Sequence, residues 1–348
     1  MILSLFTLLT AFLATTHLIP LCMSAAYKLN ILDIPNNSIK NHKQPTPYLG
    51  GLAIFGGFLI ALALFFPFNN QFFVFFMGTL IALFLGLLDD LLSLSPSQKL
   101  IGQCIVALTF MKGGFYMKDL FFQSHNYFLN IFLRAVSLVW ILGLTNAFNL
   151  IDVMDGLATT VALNSAVGFL AVSMVYGQSD IALILCALLG AIGAFFMINK
   201  PDARMYMGDA GSLFLGGFFS VMPFMVHWGQ VNSYHLFASV AFLFVPLMEL
   251  VFLIIIRFYK GIPFYLGSPD HFSHILQRAG FSKWEIIQCV TLIGLILNVI
   301  GYSYATGRLS FTAYSSLLFV LGSSWIAFFG FLDQKSMLLS FLKIPKKQ

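Results

Sequence analysis

Residues 146–156 read NAFNLIDVMDG, a polar island between two long apolar stretches. Asn146, Asn149, Asp152 and Asp155 recur at every third position in a chain that is 9% charged and 59% hydrophobic. Each step of three falls about 60° short of a full helical turn, so on a straight α-helix the four wind through half the circumference. Asn146 and Asp155 then point to opposite sides. Four polar groups serving one place therefore require a bend, and Gly156 is the residue type that tolerates one. The plainer reading is a polar loop in which Asn and Asp act as helix caps.

The flanking stretches are too apolar for a water-soluble domain. Eleven such stretches recur along the 348 residues, centred near 12, 58, 80, 108, 138, 167, 189, 220, 245, 294 and 321. A bilayer core needs about 20 apolar residues per helix. The expected fold is an all-α polytopic membrane protein of about eleven transmembrane helices. It is a single domain over 1–348, with no polar stretch long enough to fold alone. Residues 1–23 lack a basic start and a small-residue cleavage site, so they read as a retained helix rather than a signal peptide. Cys22, Cys104, Cys186 and Cys289 are scattered through apolar stretches and form no CxxC pair. They read as core residues, not as disulfides or a zinc site.

The charges separate when the loops are numbered alternately. Of the 18 Lys and Arg, all but Lys112, Lys118, Arg134 and Arg308 fall on one side, including Lys28, Lys40, Lys43, Lys99 and the tail KIPKKQ at 343–348. The positive-inside rule makes that side cytoplasmic, with the N-terminus outside and the C-terminus inside. The acids follow: of 13, only Asp119 and Asp180 lie outside, and Glu249 lies within the ninth span. Acids do not set topology. Their one-sidedness therefore predicts a polar site at the cytoplasmic face.

Four cytoplasmic segments carry it. LGLLDDLLSLSPSQKLIGQ (85–103) places Asp89 and Asp90 side by side, with Lys99 beyond them. Adjacent carboxylates repel, so they call for a cation, a shared proton or separate partners. The opening segment is the second. In the third, MYMGDAGSLFLGG (205–217), a Gly-rich turn around Asp209 enters an apolar span, and such turns expose N–H groups suited to phosphate. The fourth, GSPDHFSHILQRAGFS (267–282), carries Asp270, His271, His274 and Arg278. It has too few convergent ligands for zinc, and phosphate contact suits it better. Each segment alone also reads as a solvated loop or helix end.

Taken in this order, the motifs resemble the bacterial polyprenyl-phosphate N-acetylhexosamine-1-phosphate transferases. The resemblance covers about residues 30–283, starting with LDIPNNSIKNHKQPTPYLGGLAIFGG. It implies transfer of N-acetylhexosamine-1-phosphate from a UDP-sugar to undecaprenyl phosphate, releasing UMP, with magnesium or manganese as cofactor. The reaction would start a cell-envelope polysaccharide at the cytoplasmic face of the bacterial inner membrane. The expected partners are UDP-N-acetylhexosamine, undecaprenyl phosphate and the lipid bilayer, with no nucleic acid. Dimers are plausible for the family.

Matched position by position, the resemblance makes Asp209 and Asn149 metal ligands. Asp89, Asp90 and Asp152 become the catalytic acids, with Asp89 preferred as base. Lys99, Asn146, Asp155, Tyr206, His271 and His274 become nucleotide or diphosphate contacts, Tyr206 by stacking on uracil. DHFSH is shorter than the His-rich run of relatives that use UDP-N-acetylglucosamine. The triple His followed by Phe-Glu of the phospho-N-acetylmuramoyl-pentapeptide branch is absent, which disfavours that branch. Glu249 stands where the family usually has Asp, and pairing with Arg257 two turns on is its expected state. The rival class is a secondary transporter, but coupling acids there sit near the membrane midplane with repeat symmetry.

Overall fold

The computed structural model describes residues 2–33, 45–68, 70–117, 127–228, 236–263 and 267–342. Lys40, Lys43, Lys118, Asp119 and the basic tail at 343–348 lie outside them. The helices are α1 (Ile2–Leu29), α2 (Gly50–Phe65), α3 (Asn70–Leu92), α4 (Pro96–Lys112), α5 (Tyr127–Ile151), α6 (Leu157–Val175) and α7 (Ser179–Asn199). They continue as α8 (Gly208–Met225), α9 (Ala238–Phe242), α10 (Phe244–Lys260), α11 (Phe272–Arg278), α12 (Lys283–Ala305) and α13 (Phe311–Leu342). The one departure from an all-α chain among the described residues is a two-residue antiparallel ribbon, β1 (Leu32–Asp33) on β2 (Thr46–Pro47).

Each of the eleven expected centres falls within a helix. Seven of these helices, α1, α3, α5, α6, α7, α12 and α13, are long and apolar enough to cross a membrane. The other four, α2, α4, α8 and α10, have 16 to 18 residues. At 1.5 Å per residue they reach about 24–27 Å, short of a hydrocarbon core of about 30 Å. Length and composition thus support a polytopic helical membrane protein with fewer clear spans than the sequence pattern suggested. Outward-facing Phe6, Leu13, Phe128, Phe132, Phe319 and Phe331 leave an apolar exterior that water would not favour and lipid would.

α8 is the centre of the bundle, and nearly every residue from Ala210 to Pro223 is buried. Its Phe214 and Phe218 meet Phe55 and Phe58 of α2 and Phe75 of α3, mostly edge to face, and Phe219 stacks on Phe148 of α5 with ring centres 5.1 Å apart. Rings in these arrangements add to what burial alone contributes. The helix therefore has little freedom to slide, and its first turn is held at a fixed height.

Helix ends set the polar face. α3 ends, α4 begins, α5 ends and α8 begins at the same end of the bundle, because consecutive helices alternate in direction. α4 opens with a capping box, in which Ser95 accepts from the Gln98 N–H and the Gln98 side chain accepts from the Ser95 N–H, with Pro96 in the first turn. α12 opens the same way with Ser282 and Glu285. These boxes bring Lys99 and Lys283 into the first turns of their helices. The predicted break after Asn149 is present: α5 stops at Ile151 and Gly156 takes φ +74° before α6.

α3 also comes close to α8, because a Cβ on Gly86 would strike the Asp209 carbonyl. Gly86→Ala should therefore force the helices apart and cost about 1–3 kcal/mol. Thermal unfolding checks this against Gly193→Ala, where the added Cβ would meet only Phe12, at 3.9 Å. Equal midpoints for the two variants would refute the close packing.

Candidate active site

Asp90 ends α3 and grips α8. Its Oδ1 accepts the Asp209 N–H at 2.8 Å and its Oδ2 accepts the Ala210 N–H at 3.0 Å. These are orphan donors of the first helical turn, and a carboxylate there also faces the positive end of the helix dipole. The expectation that the GDAGS turn offers its N–H groups to phosphate is thus corrected, since two of them are already taken by Asp90.

With α8 fixed, the Asp209 side chain meets three others. Lys99 Nζ lies 2.7 Å from Asp209 Oδ2, 2.6 Å from Asp89 Oδ2 and 3.2 Å from Asn149 Oδ1. Asn149 Nδ2 donates to Asp209 Oδ1 at 2.7 Å and to Ser212 Oγ at 2.9 Å, which turns its carbonyl oxygen toward the ammonium. The second Asp89 oxygen accepts the Leu94 N–H at 2.9 Å. Three oxygens from three helices therefore converge on one cationic point. Among the described residues no three His, Cys, Asp or Glu side chains form a preformed metal group. Two carboxylates and an amide carbonyl are nonetheless hard oxygen donors of the kind magnesium takes, and Lys99 marks where positive charge is held. The residues fit a divalent cation.

The remaining expected site residues spread out from this cluster. Asn146 does not join it, because its amide makes a reciprocal pair with Gln103 of α4, at 2.9 and 3.1 Å. The winding of the triplet spacing is the reason: one turn before Asn149 the helix faces α4, not α8. Asp152 follows the end of α5. Burial, with the charges of Asp209, Asp90 and Asp155 added, pushes its carboxyl up to about 8. Asp155 binds Lys283 Nζ at 2.6 Å and the Ala203 N–H at 3.4 Å. Tyr206 is half-buried and backbone-bonded to Pro47 and Gly50. Burial and then the Asp155 charge raise its phenol above the usual range, which puts the two expected nucleoside contacts in one neighbourhood.

His271 and His274 stand edge to face, ring centres 5.5 Å apart, at the start of α11. His274 bonds the Val153 backbone next to Asp152, and burial followed by the nearby His271 lowers its imidazole. The loop is anchored by ions. Asp270 and Asp333 each meet Lys260 Nζ at 2.7 Å, and Arg278 meets Asp333 at 3.0 Å. Burial works against the charged form of Asp270, but its contacts with Lys260 hold it below the usual carboxylate range. Glu249 meets more than the expected Arg257: its Oε1 lies 2.8 Å from His271 Nδ1, while the Arg257 Nε donates to Ser268 and its charge still acts on the carboxylate.

Three supporting residues were not foreseen. Gln103 and Lys283 are described above. Asn199, at the end of α7, accepts from the Gly156 N–H and Thr159 Oγ1 and donates to the Met205 carbonyl, joining the Asp155 turn to the segment carrying Tyr206. A lone Asn closing an apolar span was the only trace of it.

Polar helix ends thus converge at one face of an apolar bundle, seven of whose helices are long and apolar enough to cross a membrane. Residues 72–227 match the family model described as glycosyl transferase family 4. A Bacillus subtilis (strain 168) protein named "Probable undecaprenyl-phosphate N-acetylglucosaminyl 1-phosphate transferase" is 31% identical over 84% of this chain and 81% of its own length. An Escherichia coli O157:H7 protein named undecaprenyl-phosphate alpha-N-acetylglucosaminyl 1-phosphate transferase is 28% identical over 84% of this chain and 82% of its own. A Streptococcus pneumoniae (strain Hungary19A-6) phospho-N-acetylmuramoyl-pentapeptide-transferase is 35% identical over a shorter stretch, 55% of this chain and 64% of its own. The chain belongs to glycosyl transferase family 4.

Two tests follow from the charges. Lys99→Met leaves Asp89, Asp209 and the Asn149 carbonyl facing one another without a cation. Millimolar magnesium should then raise the unfolding midpoint of the variant more than that of the wild type, and equal responses would argue against an oxygen cradle here. For Asp152 the folded carboxyl titrates near 8 and the unfolded one near its ordinary value of 3.8. Between those values the folded state holds the extra proton, so this group's contribution to stability falls as pH rises from about 4 to about 8. Asp152→Asn removes that slope. In chelator the variant should gain on the wild type across this window, read by thermal unfolding at a series of pH values.

Proposed function

We propose that the chain works as a sugar-1-phosphate transferase that joins a UDP-N-acetylhexosamine to undecaprenyl phosphate and releases UMP. The observation that carries this reading is the convergence of Asp89, Asn149 and Asp209 on Lys99 at one face of the bundle. The names of the full-length relatives point to the same reaction. An oxygen of the lipid phosphate attacks the phosphorus that carries the sugar. The bond from that phosphorus to the bridging oxygen breaks, and its electron pair leaves on UMP. The lipid diphosphate sugar is the other product.

Two anionic substrates must approach, so positive charge has to be supplied. Lys99 supplies one unit from the protein. Asp209 and Asn149, with Asp89 beside them, would hold magnesium or manganese, which when bound neutralises the diphosphate and the charge that develops on the leaving group. Asp89 is the acid of the pair preferred as proton acceptor, because its Oδ2 lies in the cluster against a mobile side chain, Lys99, whereas both Asp90 oxygens bond the α8 backbone. Those bonds support a positioning role for Asp90 rather than proton transfer. Asp155 and Tyr206 would take the nucleoside, and the His271–His274 loop the sugar-phosphate side. The site would face the cytoplasm of the bacterial inner membrane, where a soluble nucleotide sugar and a lipid phosphate meet.

The purified protein with magnesium and undecaprenyl phosphate should release UMP from at least one donor in a panel of UDP-N-acetylhexosamines. Silence across the panel overturns the reading. Asp209→Asn should lower the rate by about 100-fold or more while leaving the unfolding midpoint near that of the wild type.

A further inference from the structure

Glu249 is fully buried in α10 and lies outside the cluster around Lys99. Charge at such a place is expensive, and an unpaired buried carboxylate is strongly destabilising. Its close partner is His271, with Nδ1 2.8 Å from Oε1, while Oε2 takes only a long 3.5 Å bond from the Phe272 N–H. With Glu249 ionised, its oxygens can only accept, and the proton of this bond is then on His271 Nδ1. Nε2 is then the ring nitrogen left for a ligand, and no protein partner for it is found among the described residues.

The arrangement continues toward the site. The His271 ring packs edge to face on His274, and His274 bonds the Val153 backbone beside Asp152. The Asp270–Lys260–Asp333–Arg278 ion pairs fix the loop as a body but leave the rotation of the His271 ring open. Glu249 is the group that sets that rotation.

We infer that Glu249 is a positioning residue for the nucleotide-sugar donor, acting through His271 by committing Nδ1 to its carboxylate and presenting Nε2 to the sugar-phosphate portion. The inference rests on the transferase reading. It predicts an effect on donor recognition above all, because the Glu249–His271 pair acts on the sugar-phosphate side and touches none of the Lys99 cluster. A residue that only filled space would affect both substrates or neither.

The experiment measures UMP release by the full-length protein in lipid nanodiscs with magnesium, varying the UDP-N-acetylhexosamine and undecaprenyl phosphate separately. Glu249→Gln preserves shape and removes charge; losing a bond to a charged group should raise KM for the nucleotide sugar about tenfold, with kcat and the lipid KM changed less than about threefold. Glu249→Asp packs worse but keeps the carboxylate, and should have the smaller effect. In a His271→Ala background Glu249→Gln should add nothing. Active wild type with an unchanged nucleotide-sugar KM in Glu249→Gln overturns the positioning role alone, as does an equal loss in both backgrounds. If Glu249→Gln does not fold, His271→Ala decides: a raised donor KM with the lipid KM unchanged supports the role, and an unchanged donor KM overturns it. No UMP from the wild type overturns the transferase reading and this inference with it.

Discussion

The Asp90 carboxylate on the first turn of α8 is the contact on which the rest of the site depends. α8 begins half-buried at the polar end of the bundle, with the free N–H groups of its first turn in need of acceptors. Asp90 satisfies two of them and brings the end of α3 against the start of α8. Gly86 allows the backbones to meet, and the phenylalanine rings along α8 stop the helix from shifting along its axis. Asp209 therefore projects from a turn fixed from two directions. Its partners, Asn149 and Lys99, come from helices whose ends are fixed by a chain break and a capping box.

The charge balance follows from that placement. Asp89 and Asp209 are brought together by backbone packing, lie within hydrogen-bond reach of each other and share Lys99, which makes their proximity tolerable. Such an arrangement is poised toward added positive charge. Oxygens already gathered around one cation need little reorganisation to serve another, and preorganisation of this kind costs nothing at the moment of reaction. Asp152 shows the opposite response: burial first, and then the charges of Asp209, Asp90 and Asp155, push its carboxyl up to about 8.

The sequence shows most of the helices and the acids, because apolar length and charge rarity are local properties. The break at Gly156 is expected only if all four polar residues serve one place; it is present, although Asn146 stays out of the cluster. What each polar residue touches was less legible. Asn146 and Asn149 look equivalent in the pattern, yet one turn of helix sends the first to Gln103 and the second to Asp209. The GDAGS turn looked open to phosphate because nothing in the string reveals that a carboxylate from residue 90 arrives there. Helices of 16 to 18 residues stand in the sequence pattern beside the longer ones, because apolar content is local and says little about how far a helix reaches.

Glu249 shows the same limit at longer range. Arg257 lies two turns along the same helix, so it is the partner a local reading supplies. His271 is reached only when the chain has left α10, crossed a loop and turned back as α11. Arg257 acts on the carboxylate through its charge, whereas His271 is the side chain at hydrogen-bond distance from it. The same return brings Asp270 to Lys260, and Lys260 and Arg278 to Asp333 of α13. A loop that reads as solvated is in this way held by ion pairs at its base and by a buried carboxylate at its centre. A loop so constrained presents its histidines in one orientation, as selective recognition of a flexible nucleotide sugar requires.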